Sequence, residues 1–344
     1  MIYAPHTLEL TLDCSSEKFG KLRNAAYERA KGKHKMFSDG SGKNIDRAFA
    51  DTGIKIEYHD TIYKHRIKFI VNPTRLLGGN DVKKLWKPNG DNISKLTKKL
   101  ESHIADYFNS KYNLNDFRLT RIDFTVNIDV GNKDIVAAYI KVLHNIRKVK
   151  GFSPKDWKDY DGYDENASFD LEGNSNGVQF VAYDKAAAIK NNVVDSEYKR
   201  KEMKERLDKA KGVLRLEVKL TTQKAIRRYT NESDTVKRII DLCNNSTEIF
   251  LDTFIRVVPF GDFHKKDNVV KIIEESVSNK HLKRKMLHLL ELIPKKKSLY
   301  LAQKALADRN IEKIMKMFAE LNVSPVTLSK RHDVKHLSNL YAFI

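Results

Sequence analysis

Residues 117–129 read FRLTRIDFTVNID, and the reading of this stretch decides the fold. Successive side chains of a strand point to opposite faces, so Ile122, Phe124, Val126 and Ile128 form one face and Arg121, Asp123, Thr125, Asn127 and Asp129 the other. Asp and Asn are depleted from strands, and three of them at alternate positions carry a propensity cost that an ordinary solvated face has no reason to bear. The stretch predicts a sheet with one apolar face for helices and one polar face that holds a site.

The same alternation recurs outward from it. HTLELTLD (6–13), GIKIEYH (53–59), RIKFIVN (66–72), ASFDLEG (167–173), GVQFVAYDK (177–185) and VLRLEVKL (213–220) read as strands. Between them, SEKFGKLRNAAYERAKG, NISKLTKKLESHIADYFNSKY, NKDIVAAYIKVLHNIRKV and the charged run from Glu197 to Lys211 read as helices. EGNSNG joins two strands with residues that tolerate positive φ, which predicts a hairpin and antiparallel neighbours. Interleaved helices with hairpin-joined strands make the expected class α+β: an antiparallel or mixed sheet with helices on one face, the other left for a ligand.

Beyond residue 234 the period changes from two to three-and-four, with helices expected at 234–256, 266–279, 281–292, 296–308 and 310–322. Two units follow, 1–225 as an α+β unit and 230–344 as a helical accessory unit. Near the end, NVSP separates an amphipathic helix from PVTLSKR, a pattern shared by a helix-turn-helix or winged-helix reader and by a plain helical hairpin capped by Ser324 with Pro325 at the first position.

Sixty-four Lys and Arg against 45 Asp and Glu give a formal charge of +19, clustered in HLKRKM, IPKKKS and EYKRKEMKERLDKAKG. A basic excess of that size points to a polyanionic partner, nucleic acid first, against the alternative of a Lys-rich surface serving solubility. No apolar run approaches the roughly 18 residues of a spanning helix and no signal-peptide pattern opens the chain, so no membrane partner and a cytoplasmic location are expected. Cys14 and Cys243 are too few for a disulfide framework and form no C-x-x-C pair. LLGGNDVKKLW lacks the G-x-x-x-x-G-K-[ST] spacing of a phosphate-binding loop, so unwinding would fall to a host helicase.

VLRLEVKL places Arg215, Glu217 and Lys219 on one face, and GVQFVAYDK places Gln179, Tyr183 and Lys185 outward. If these strands neighbour 117–129, the open face assembles Asp123, Asp129 and Glu217 with Arg121, Arg215, Lys185 and Tyr183. Carboxylates on adjacent strands suit Mg²⁺ or Mn²⁺, which prefer oxygen ligands and can polarise a phosphodiester. A tyrosine, with its ordinary pKa near 10, needs a nearby cation to act as a nucleophile. The alternative for Tyr183 is an edge tyrosine packed on the sheet rim.

RLTRIDFTVNID, GVQFVAYDK and VLRLEVKL, in this order across residues 118–220, resemble the trans-acting replication initiator family of rolling-circle plasmids. That family includes relaxases of integrative conjugative elements and has relatives among filamentous-phage initiators. The resemblance implies a site-specific endonuclease that nicks and rejoins origin DNA through a covalent phosphotyrosine, acting on double- and single-stranded DNA. By position, Tyr183 would be the nucleophile, Lys185, Arg215 and Arg121 cations around the phosphate, and Asp123, Glu217 and Asp129 metal acids. The histidine-hydrophobic-histidine motif of better-known relaxases is absent, and His59, sharing a strand face with Glu57, stands as a candidate ligand. His332 and His336, spaced i, i+4 without a third ligand in sight, read as surface residues. Tyr160, Tyr163 and Tyr198 are undiscriminated candidates for a second tyrosine, and Ala186 and Ala187 would leave room for a DNA strand. A conjugative relaxase at a transfer origin, a non-enzymatic origin-binding initiator or repressor, and a homodimer remain open.

Overall fold

The computed structural model describes residues 1–30, 36–38, 43–79, 81–155, 167–190, 197–330 and 333–344, of which 36–38 and 197–201 by backbone alone. In chain order the first part comprises β1 (Ala4–Cys14), α1 (Ser16–Ala30), β2 (Met36–Ser38), β3 (Lys43–Asp46), β4 (Ile54–Asp60), β5 (His65–Val71), α2 (Pro73–Leu76), α3 (Gly90–Phe108) and β6 (Arg118–Asp129). It continues through α4 (Lys133–Ile146), β7 (Phe152–Pro154), β8 (Ser168–Gly173), β9 (Val178–Asp184), α5 (Lys185–Lys190), α6 (Glu197–Ala210) and β10 (Val213–Leu220). The ten strands form one sheet in the order β2-β3-β4-β5-β1-β6-β10-β9-β8-β7, each pair antiparallel. The strand that opened the sequence reading, β6, lies at its centre between β1 and β10.

Alternation does the sorting. Leu8, Leu10, Phe69, Ile122, Phe124, Val126, Phe180, Leu214 and Leu216 are fully buried on one face. Helices cover that face: Phe19 of α1 meets Tyr58, Tyr107 of α3 meets Phe69, and His144 of α4 meets Phe169. Each fully buried aromatic or aliphatic side chain contributes about 1.5–3 kcal/mol, so the face that repels water also selects its helices. Asn side chains start two of them, Asn89 accepting from the Asn92 N–H and Asn132 from the Ile135 N–H. The EGNSNG hairpin forms as expected, with Ser175 at φ 74° and Gly177 at φ 69°, and a Cβ on Gly177 would also collide with the Thr222 side chain.

After α7 (Gln223–Ile226) the chain is mainly helical: α8 (Thr235–Asn244), α9 (Ser246–Val257), α10 (Lys266–Ser276), α11 (Lys280–Lys296), α12 (Leu299–Leu306) and α13 (Ile311–Glu320), with a small ribbon of β11 (Phe263–His264) and β12 (His336–Leu337). The helix expected over 234–256 is two, broken at Asn245, whose N–H still bonds the Asp241 carbonyl. No α-helix follows NVSP in the described residues, where the next helical element is a 3₁₀ turn at Leu340–Phe343, which corrects the helix-turn-helix expectation. Val326 and Leu328 are buried at alternate positions, and the Ser324 and Leu328 N–H groups bond the Asp262 and His264 carbonyls. The backbone donors a second helix would use are taken up by the β11 segment. His332 lies outside the described residues.

One apolar core runs from the sheet into α8 and α9, where Phe254 packs against Phe180 with ring centroids 6.3 Å apart. Phe254→Ala should cost about 3–5 kcal/mol of unfolding free energy. Urea unfolding followed by far-UV circular dichroism and tryptophan fluorescence should show the two signals lost together, and two separated transitions would contradict the shared core.

Candidate active site

Strand pairing converts the polar face into rows. Across β9, β10 and β6, Tyr183 lies beside Arg215 and Arg215 beside Asn127; Val181, Glu217 and Thr125 form the next row; Gln179, Lys219 and Asp123 the third. The condition left open by the sequence, that these three strands be neighbours, is met. Tyr183, Arg215, Glu217 and Asp123 therefore share one patch, with Asp123 one diagonal step from Glu217.

The patch is tightly bonded. The Tyr183 hydroxyl donates to Glu217 Oε1 at 2.7 Å. Arg215 donates from Nε to Asn127 Oδ1 at 2.8 Å and from Nη1 to His6 Nε2 at 2.9 Å. Lys219 Nζ stands 3.3 Å from Glu217 Oε2, and Arg121 grips both carboxylate oxygens of Asp123, at 2.8 and 2.5 Å. Asp123, Glu217 and Arg215 are buried, which charged groups tolerate only when paired this way.

These contacts set the proton inventory. Burial raises the Tyr183 phenol above its ordinary value and the Glu217 charge adds to it, with Arg215 opposing, so the hydroxyl is protonated at rest. Burial pushes Glu217 upward, but the charges of Lys219 and Arg215 and the Tyr183 hydrogen bond outweigh it and hold the carboxyl well below its usual range. Burial, more than its Arg121 partner offsets, raises Asp123. Burial and the neighbouring Arg215 bring Lys185 down to about 7, and burial and Arg215 bring His6 down to about 3. His6 is thus neutral, with Nε2 accepting from the guanidinium.

Local sequence explains the strand-to-helix junction. The Asp184 carboxylate accepts the Ala186 and Ala187 N–H groups, capping α5 as Tyr183 leaves the sheet. Ala186 packs with Val82, Ile189 and Ala210 against Met203 and Leu207 of α6. Its small side chain fits that helix packing while staying partly exposed. A segment after α2 crosses the polar face: the Lys83 carbonyl accepts from Asn127 Nδ2, and Trp86 Nε1 donates to the Pro5 carbonyl. Beneath it lies a cavity of about 50 Å³ lined by His6, Thr74, Arg75, Lys84, Lys185, Arg206 and Arg215, with Asp81 as its acid.

Two candidate ligands fall elsewhere. Asp129 sits six residues from Asp123, roughly 20 Å along the strand at about 3.3 Å per residue, so the two cannot hold one ion. It is instead bonded to Lys83 at 2.6 Å. His59 on β4 is three strands from β6 and pairs with Glu57 at 2.7 Å, in a register that places it beyond the start of β6. What remains for a divalent ion is Glu217, Asp123 and the Thr125 hydroxyl opposite Glu217, which is buried without a hydrogen-bond partner. Two carboxylates and an orphaned hydroxyl fit a hard cation, which completes its shell with water and substrate phosphate.

His6, Asn127 and Lys219 were not singled out from the sequence as site residues. His6 lies at an irregularity in the β1–β6 register, between Pro5 and Thr7, that no local pattern announces. Lys219 was placed on the polar face with Arg215 and Glu217, and that shared period was its signal. Tyr160 and Tyr163 lie outside the described residues, as does the Tyr198 side chain.

An antiparallel sheet with helices on its apolar face and a tyrosine, arginine and carboxylate cluster on the other defines the class. Residues 39–238, more than half of the chain, match the phage family described as replication-associated protein, N-terminal. The chain belongs to that family and is a rolling-circle replication initiator by family, with origin DNA as the implied partner. A solved rolling circle replication initiator protein from Geobacillus stearothermophilus is similar at 12% identity and a TM-score of 0.33, covering 81% of this chain and 90% of that one. No curated protein matches. No helix among the described residues is long and apolar enough to cross a membrane.

Lysine side-chain NMR with ¹³Cε labelling should show one resonance titrating near pH 7, lost in Lys185→Met. If every lysine titrates near 10, the site is more hydrated than its packing implies.

Proposed function

We propose that the protein nicks one strand of origin DNA with Tyr183 as the nucleophile, forming a phosphotyrosine link that is later reversed to rejoin the strand. The observation that carries this reading is the hydrogen bond from the Tyr183 hydroxyl to buried, ionised Glu217, beside Arg215 and Lys185. Glu217 aims the phenol oxygen, and Arg215, itself fixed by Asn127 and His6, sets a positive charge beside it for the phosphate.

The phenol proton leaves along its hydrogen bond to Glu217 as the phosphorus–oxygen bond forms. The phenolate oxygen bonds to phosphorus, the phosphorus–oxygen bond to the leaving deoxyribose breaks, and the departing oxygen is protonated from solvent. Arg215 stands against the charge of the transferred phosphate. A Mg²⁺ or Mn²⁺ ion held by Glu217 and Asp123 would supply further Lewis-acid polarisation of the phosphate. Arg121, gripping Asp123, keeps that buried carboxylate in place. The N-terminal unit to about residue 225 carries this chemistry, and the basic helices from about 230 add phosphate contacts that hold the origin.

With a labelled single-stranded origin and Mg²⁺ or Mn²⁺, wild type should form an SDS-stable protein–DNA adduct and Tyr183→Phe none. An equal adduct from Tyr183→Phe excludes the assignment. Glu217→Gln, which avoids stranding Arg215 and Lys219 beside an apolar gap, should slow nicking by about 10²-fold or more while leaving DNA binding within a few-fold.

A further inference from the structure

His336, which the sequence left without partners, has two. Asp262, in the loop before β11, His264 at the end of β11 and exposed His336 at the start of β12 each aim one ligand atom inward, and the three atoms lie within 4.8 Å of one another. Among the described residues no other group of three metal-capable side chains meets that condition. None of the three belongs to the Tyr183 patch. They sit with the helices on the far side of the sheet, where Tyr139 of α4 donates to the Ser338 carbonyl next to β12.

The carboxylate is oriented before any ion arrives. Asp262 Oδ1 accepts the Asn339 N–H at 2.7 Å, and Oδ2 accepts Asn322 Nδ2 at 3.0 Å and faces His336 Nε2 at 3.1 Å. Such outer bonds are what hold metal ligands in position. The His264 and His336 rings lie 4.6 Å apart between centroids and tilted by 40°, as directly paired residues of β11 and β12. Ligand atoms around a tetrahedral ion at about 2.0–2.1 Å stand roughly 3.3 Å apart. The Asp262–His336 edge, at 3.1 Å, is already at that spacing, and the His264 ligand atom lies within 4.8 Å of both.

We propose that Asp262, His264 and His336 bind a first-row transition ion of the Zn²⁺ class, which clips the C-terminal strand β12 to β11. Two imidazoles and one carboxylate favour Zn²⁺, Co²⁺ or Ni²⁺ over Mg²⁺, which takes oxygen alone. Exposed His336 leaves the fourth position open to water. The ion ties together segments more than seventy residues apart, and its role is to hold the tail against α4 and α9, where Tyr341 bonds the Val258 carbonyl. This inference is independent of the nicking chemistry.

The test uses the full chain stripped with a chelator. Co²⁺ should add a visible absorption band at one equivalent, Zn²⁺ should displace it, and Zn²⁺ in hundred-fold excess over its Kd should raise the thermal midpoint by a few degrees, with Mg²⁺ raising it not at all. His336→Ala, at an exposed side chain, should leave the metal-free midpoint unchanged, weaken Co²⁺ binding at least ten-fold and erase the Zn²⁺ shift. His264→Ala should do the same to binding, while His281→Ala on α11 should bind as wild type. Absence of the band in wild type, or an unchanged band in either His336→Ala or His264→Ala, overturns the proposal. If His264→Ala does not fold, His336→Gln carries the second arm under the same criterion.

Discussion

The register of β10 between β6 and β9 is the constraint from which the site follows. Side chains alternate with period two, so a slip of one residue on either side of β10 would send Arg215 and Glu217 into the apolar layer and bring Leu214 and Leu216 to the polar face. Four leucine or valine positions of β10 buried against α4 and α9 make such a slip costly. The apolar layer thereby fixes, from the other side of the sheet, where Tyr183 meets Glu217 and where Arg215 meets Asn127.

Holding those groups exposes the fold to a cost that pairing offsets. Asp123, Arg215 and Glu217 are each nearly without solvent, and an unpaired ion there would cost several kcal/mol. Arg121, Lys219, Asn127, His6 and Tyr183 complete the network, so the residues proposed to serve the phosphate also keep the sheet's charged face stable. Removing one member by truncation strands another, and isosteric replacements report on chemistry more cleanly. The same crowding brings Lys185 toward neutrality and keeps the Tyr183 hydroxyl protonated.

The net charge of +19 acts on a longer scale. Arg75, Lys84, Lys185, Arg206 and Arg215 converge on one cavity at the edge of the Tyr183 patch, while α11 carries Lys280, Lys283, Arg284 and Lys285 in its first turns. Binding that rests on such groups weakens steeply with salt, and origin choice has to come from contacts that are not electrostatic.

Much of this was written locally. Alternation in 117–129, 177–185 and 213–220 determined which side chains share a face, because a strand turns by half a circle per residue whatever its neighbours. The hairpin at EGNSNG and the ordered three-strand resemblance were legible for the same reason: each depends on residues close in sequence. Asp129 could have been set aside from spacing alone, since six residues of strand outrun any ion's reach. Tertiary structure decided the rest. Strand adjacency, the meeting of His6 with Arg215 across 209 residues, the removal of His59 to a distant strand and the extended path of 323–328 along β11 all depend on long-range pairing. Local propensity cannot choose among partners that distant, because the free energy that selects them comes from burying whole faces together.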